Sequence, residues 1–192
     1  PEAPNFWMSN WFLQPFVHEG KQYSCVEQCL MATKALLMQD EETHNQIMAS
    51  VNPAEMKALG RKVRNYDDAK WAEKRESLLR AITLQKFRTS PMLAAKLLAT
   101  NNAILAEASR DPIYGTGISF EDQNATDRNA WTGQNLLGIA LMAARQALQQ
   151  EINRAEEESV MELRLNSWEV EPTSVGTKNN GELYETPNED EY

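Results

Sequence analysis

The sequence predicts a mainly α-helical fold, one compact domain with a small β-hairpin element near the N-terminus. Three observations carry that expectation. Apolar residues recur at the 3.6-residue helical period in several separate stretches. Cap signals stand directly before those stretches, at Asn52-Pro53, Asp67-Asp68 and Ser90-Pro91. Residues with strand character flank a glycine turn only once, around Gly20. With 192 residues, 42% of them apolar, the chain can bury a core without disulfide or metal staples.

Taken in order, residues 1–23 are rich in aromatics: Phe6, Trp7, Trp11, Phe12, Phe16 and Tyr23. Phe16-Val17 and Gln22-Tyr23, joined through His18-Glu19-Gly20-Lys21, read as a hairpin. Ser24-Cys25-Val26-Glu27 has the capping-box form, with Ser24 as N-cap and Glu27 reaching back. Val26, Cys29, Leu30, Thr33 and Leu37 then make the core stripe of a first helix. A short helix opens at Pro53 and closes at Gly60. A long one runs from Asp67 or Asp68 to about Phe87, with Trp71, Leu78, Leu79 and Ile82 inward. Another starts at Ser90-Pro91, with Leu93, Leu97 and Leu98 on one face. Ala103–Ala108, short and apolar, reads as a strand. The loop 109–133 is long enough to imply a function. An apolar helix from Leu136 to about Gln149 continues as a Glu-rich helix to about Leu165, and 166–192 reads as a flexible polar tail.

Charge divides the chain in the same place. Residues 1–150 hold 16 Lys/Arg and 16 Asp/Glu, whereas 151–192 hold 3 and 12. The whole net charge of −9 belongs to the C-terminal stretch. Residues 1–150 therefore form the expected domain, and 151–192 an acidic helical extension and tail. The balanced body lacks the basic excess of a nucleic-acid-binding protein. No apolar run approaches the roughly 20 residues that a membrane-spanning helix needs. No secretory-type start is visible, and Cys25 and Cys29, one turn apart, read as buried reduced thiols. A cytoplasmic location is expected. Zinc would need more soft ligands than two cysteines with His18 and His44 supply, so no metal and no cofactor are expected.

The residues with chemical potential each have two readings. Glu27 is a helix cap, or a carboxylate at a helix N-terminus beside an aromatic-lined pocket, where the dipole favours its ionised form. Lys34, two turns further on, is a solvated side chain, or holds the anionic group of a ligand that also reaches Glu27. Trp71 is a core residue or a stacking face. Asp111 is a turn residue before Pro112 or a second carboxylate. Tyr114 and Trp131 pin the long loop or stack on a heterocycle, and Asn135 is an N-cap or a ligand contact.

As an ordered set these pieces resemble one family. Phe6-Trp7-Met8-Ser9-Asn10-Trp11 is similar to its F-x-x-S-N-[FY] opening, and Glu27 with Lys34 to its E-x6-K helix. Leu59-Gly60-Arg61, Trp71, Leu84-Gln85-Lys86-Phe87 and Leu97-Leu98-Ala99-Thr100 follow in its order. Glu107 to Gly117 resembles its E-x-x-x-D-x-x-W-G-x-G segment. Trp131 to Arg145 resembles its W-x-G-x-N-x-L-G-x-x-L-M-x-x-R close. The family is NADAR, also called YbiA-like, and the likeness spans about residues 5–148.

The resemblance implies a mostly helical fold and metal-free hydrolysis of N-glycosidic bonds. It points first to phosphoribosylamino-pyrimidine intermediates of riboflavin synthesis, and alternatively to ADP-ribose on guanine, with nucleic acid only as a modified substrate. It places the family's essential glutamate on Glu27, its tryptophan on Trp71, its aspartate on Asp111 and the following aromatic on Tyr114. Lys34 and Arg61 then face phosphate, and Asn10 and Asn135 complete the substrate-binding set. Gln28 stands where the family often has His, and Tyr114 where it has Trp. A third reading, a non-catalytic module that binds ADP-ribose or a nucleotide, is opposed by the retention of Glu27, Trp71 and Asp111.

Overall fold

The computed structural model describes residues 5–168. After a 3-10 turn at Phe6–Met8 come β1 (Phe16–His18) and β2 (Lys21–Tyr23). They pair antiparallel, with Phe16 opposite Tyr23. Glu19 and Gly20 turn the hairpin with φ of 48° and 74°, the two positive angles of a type I′ turn, which glycine takes at little cost. Phe16 and Tyr23 point inward together, their ring centroids 6.0 Å apart.

Six α-helices follow among the described residues: α1 (Val26–Leu37), α2 (Glu41–Ala49), α3 (Pro53–Arg61), α4 (Asp68–Arg88), α5 (Pro91–Leu98) and α6 (Leu136–Trp168). The starts of α3, α4 and α5 lie where their caps predict. Asn52 accepts from the Ala54 amide, Asp67 from Lys70 and Ser90 from Leu93. Gly60 does not close α3 but lies within it, against Met31.

Helix α2 was not anticipated from the sequence. Its cap is Asp40, whose buried carboxylate accepts from the Thr43 amide and hydroxyl and from the Arg64 backbone and guanidinium. The Arg64 guanidinium and amide hold that carboxyl well below the usual range. Residues 103–108, expected as a strand, have no regular structure. Their backbone instead bonds to the Asn135 side chain, described below.

The core falls into two clusters. One joins α1 to the hairpin, α2, α3, α4 as far as Ile82 and the start of α6, around Cys29, Leu30, Ile47, Met56, Leu79 and Ile82. The other joins the end of α4 to α5 and α6 through Phe87, Leu93, Leu97, Leu137 and Leu141, and Trp7 and Phe12 of the opening segment pack on it.

The chain divides into two compact units, 1–154 and 155–192. In the second, 155–168 continue α6, and every side chain from 155 to 165 is exposed. The tail expected at 166–192 lies, beyond this helix end, outside the described residues. No helix among the described residues is long and apolar enough to cross a membrane.

Candidate active site

Helix α1 does not use Glu27 as its cap. Its N-cap is Cys25, and the side chain that reaches back is Gln28, whose Oε1 accepts from the Ser24 amide at 2.8 Å. Gln28 Nε2 also donates to the carbonyls of Ile47, Met48 and Ser50, tying α1 to the end of α2. The capping-box pattern is thus displaced by one residue. Glu27 is free of it and is 5% exposed. Its amide donates to the Asn10 carbonyl at 3.0 Å.

Burial pushes the Glu27 carboxyl up to about 7. Lys57 and the Trp11 side chain oppose the rise, Asp111 adds to it, and Arg61 opposes it. The expectation that the helix dipole keeps Glu27 ionised is therefore reversed, because desolvation outweighs the dipole.

Asp111 sits at the mouth of the long loop with its two oxygens divided. Oδ1 accepts from the Ile113 and Tyr114 amides, both at 3.0 Å, and Oδ2 lies 3.5 Å from Lys57 Nζ. Burial works to raise its pKa. The two amides and Lys57 outweigh burial and hold it below the ordinary value. A third carboxyl, Glu107, is raised by burial, against Lys57 and with Asp111. One lysine on α3 thus acts on three carboxyls, from α1, from the segment before the loop and from the mouth of the loop.

Around these groups lie the aromatic faces. Trp71 is buried on α4, in the core cluster on which Tyr114 and Ile113 pack. The Tyr114 hydroxyl is buried beside Trp71, with no well-formed hydrogen bond among the described residues. Burial first, then Glu27, raises the Tyr114 pKa, while Trp71 and Arg75 oppose. Asn10 is buried, and its Oδ1 also has no partner among the described residues.

Lys34 is half-buried. Its ammonium donates to the Gly60 carbonyl at 2.7 Å and lies 4.4 Å from the centre of the Tyr66 ring. Burial lowers its pKa, while Asp68 and Glu27 raise it. Arg61, exposed at the end of α3, acts electrostatically on both Lys34 and Glu27.

Asn135 stands apart from the other sequence-derived candidates. Its Oδ1 accepts from the Glu107 amide and its Nδ2 donates to the Leu105 carbonyl, both at 3.0 Å. Its side chain does not cap α6 but fastens residues 105–107 to the start of that helix. Gly138 packs directly on the Leu105 carbonyl and the Asn135 amide, where a Cβ has no room. The loop returns on the same side: the amides of Gln134, Asn135, Leu136 and Leu137 donate to the carbonyls of Pro112, Gly115, Ile113 and Tyr114. Glu107 and Asp111 are thereby held on a fixed backbone.

The structure therefore brings Glu27, Asp111, Tyr114, Trp71, Lys34, Arg61 and Asn10 into one neighbourhood. With them come Glu107 and Trp11, which the sequence marks only as members of motifs, and Lys57 and Arg75, which no sequence motif marks. The i,i+4 spacing of Lys57 and Arg61 was a usable signal that they share a face of α3. Among the described residues no three His, Cys, Asp or Glu side chains form a metal-holding group. An open groove of about 690 Å³ between Arg80, Asn101, Ile139, Met142, Arg145 and Gln149 includes none of the carboxyls.

Three known proteins are similar to this chain in sequence or fold. N-glycosidase R617 of Acanthamoeba polyphaga mimivirus is 35% identical over 148 residues, 74% of this chain and 87% of its own. Protein irg-1 of Caenorhabditis elegans is 35% identical over 130 residues, 66% of this chain and 61% of its own. The NMR structure of the E. coli protein YbiA superposes with a TM-score of 0.63 at 27% identity, covering 78% of this chain and 81% of that one. The NADAR domain model matches residues 1–149, the stretch that holds every residue of the site, and the chain belongs to the NADAR family.

Proposed function

We propose that this chain hydrolyses N-glycosidic bonds, splitting ribose C1 from the nitrogen of a base, and that its substrates are phosphoribosylamino-pyrimidine intermediates of riboflavin synthesis. The observation that carries the reading is the opposite push on two neighbouring carboxyls. Glu27 is held near 7 and Asp111 below its ordinary value. Such a split lets one carboxyl give a proton at neutral pH while the other stays ionised. The name of the mimiviral relative carries the same bond chemistry.

Breaking the C–N bond sends its electron pair to the base nitrogen and leaves positive charge on C1 and the ring oxygen of ribose. Glu27 supplies the proton to the departing nitrogen. Asp111, ionised and oriented by two backbone amides, stabilises the cation and accepts a proton from the water that adds to C1. Trp71 and Tyr114 offer ring faces to the base. Lys57, Lys34 and Arg61 offer cations to phosphate, and Asn10 offers its unpartnered oxygen to the sugar or base. Asn135 supports the site from behind.

On this reading residues 1–150 are the catalytic domain of a cytoplasmic enzyme with a small-molecule substrate, and 151–192 are an appendage. The test is to incubate the purified chain with a phosphoribosylamino-pyrimidine and, separately, with DNA carrying ADP-ribosylated guanine, and to follow the released base by mass spectrometry. Release from the first alone is expected. Release from the second alone reassigns the substrate to modified nucleic acid, and binding without release from either removes the catalytic reading.

A further inference from the structure

We propose that Lys86 is a positioning residue for Glu27: its ammonium fixes the turn at residues 7–11, and that turn holds the Glu27 amide and covers its carboxyl. The proposal rests on the reading of Glu27 as the proton donor only for its effect on rate.

Lys86 is 1% exposed on α4. Its Nζ donates to the carbonyls of Trp7 and Ser9, both at 2.8 Å, and lies 5.3 and 5.4 Å from the centres of the Phe12 and Phe87 rings. Among the described residues no carboxylate contacts it. Burying an ammonium is costly unless its protons are matched by acceptors. A residue here that served packing alone would be apolar, so the weight falls on what the two bonds hold.

They hold a short piece of chain. Ser9 offers its carbonyl to Lys86 and to the Phe12 amide, and its hydroxyl to the Trp11 amide at 3.2 Å. The next residue, Asn10, accepts the Glu27 amide, and Trp11 places its indole at the Glu27 carboxyl. From Lys86 to Glu27 the path is one ammonium, one backbone turn and two contacts. The cations that act most on Glu27 are Lys57 and Arg61 of α3, with Asp111 and Tyr114 facing it from the loop and Lys34 from α1. Burial lowers the Lys86 pKa to about 7, and among the described residues the titratable group that acts on it is the Cys25 thiol, which raises it. Lys86 thus reaches Glu27 through geometry rather than through its charge.

The experiment titrates the Glu27 carboxyl by 13C NMR in the full chain, with the signal assigned by its loss in Glu27→Gln. It compares Lys86→Met, Lys86→Arg and a core truncation elsewhere, Leu148→Ala. In Lys86→Met the turn loosens, water reaches Glu27, and the midpoint falls by about 1 pH unit. kcat falls about 10-fold or more, with a smaller change in KM. Lys86→Arg keeps both bonds and the original midpoint. Leu148→Ala lowers the melting temperature without moving the midpoint. An unchanged midpoint in folded Lys86→Met overturns the proposal, as does an equal shift in Leu148→Ala. If Lys86→Met does not fold, Lys86→Gln is read by the same two outcomes. A chain without turnover fails the catalytic reading, while the NMR midpoint still decides the role of Lys86.

Discussion

Gln28 Oε1 accepts from both the backbone amide of Ser24, at 2.8 Å, and its hydroxyl, at 3.0 Å. With the start of α1 served by its neighbour, the Glu27 carboxyl is not needed to cap that helix. The bonds of Gln28 and the burial of Glu27 are two sides of one arrangement, and together they make the chemistry of Glu27 separable from folding.

Glu27→Gln is expected to cut turnover by about 10²–10⁴-fold while leaving the near-UV circular dichroism unchanged. It is also expected to stabilise the protein at alkaline pH. The folded pKa is raised from 4.5 to about 7, so the stability contributed by Glu27 is full below 4.5 and is lost as pH rises through 7. The variant therefore matches the parent near pH 4.5 and exceeds it at pH 8, by on the order of 2–3 kcal/mol. Melting curves at the two pH values check this, and an equal difference at both removes the elevated pKa.

Asp111→Asn preserves the turn, because Asn keeps the Oδ1 that accepts from Ile113 and Tyr114. It loses the charge that faces Lys57. That pair is about a quarter to a third exposed, so its loss costs no more than about 1 kcal/mol. Turnover, by contrast, should fall at least 100-fold. A thermal shift and a rate assay on one preparation separate the two effects.

The pH–rate profile should be a bell. Its alkaline limb lies near 7, where Glu27 loses the proton it donates, and its acid limb lies where Asp111 becomes protonated, below the ordinary carboxylate value. Lys57 lowers both carboxyls, so Lys57→Gln should move both limbs to higher pH. Movement in opposite directions, or of neither limb, would show that Lys57 does not face both groups.

Caps made much of this fold legible. Asn52, Asp67 and Ser90 each announce a helix through a local hydrogen bond, which sequence spacing can express. The hairpin was readable for the same reason, since Glu19-Gly20 fixes its turn. Helix α2 escaped because its inward side chains are few, Thr43, His44 and Ile47, and its cap Asp40 is completed by Arg64 from 24 residues away. Residues 103–108 look like a strand by composition, but their backbone partner is the side chain of Asn135 rather than a neighbouring strand. The same limit applied to the site. Glu27, Asp111 and Trp71 came from motif order, whereas Lys57 is separated from Asp111 by 54 residues and only the fold joins them.

Removal of residues 166–192 is expected to leave turnover and melting temperature unchanged. The family match ends at residue 149, and the side chains from 155 to 165 are exposed. The removed stretch is polar and acidic, a composition expected to bury little apolar surface against an ordering cost of about 1–2 kcal/mol per residue. A truncation after Leu165, compared with the parent by calorimetry and base release, checks this. A fall in either quantity moves the domain boundary beyond 165.

The return of the loop onto α6 also decides how a phosphate can be recognised. Free amides at a helix start are a ready anion cradle, yet here the amides of residues 134–137 are already given to carbonyls of residues 112–115. If the substrate carries a phosphate, as proposed, its recognition falls to lysine and arginine side chains, which are long, partly hydrated and screened over about 10 Å at 0.1 M salt. Substrate affinity in this protein should follow ionic strength, while the shape of the loop that presents Asp111 should not.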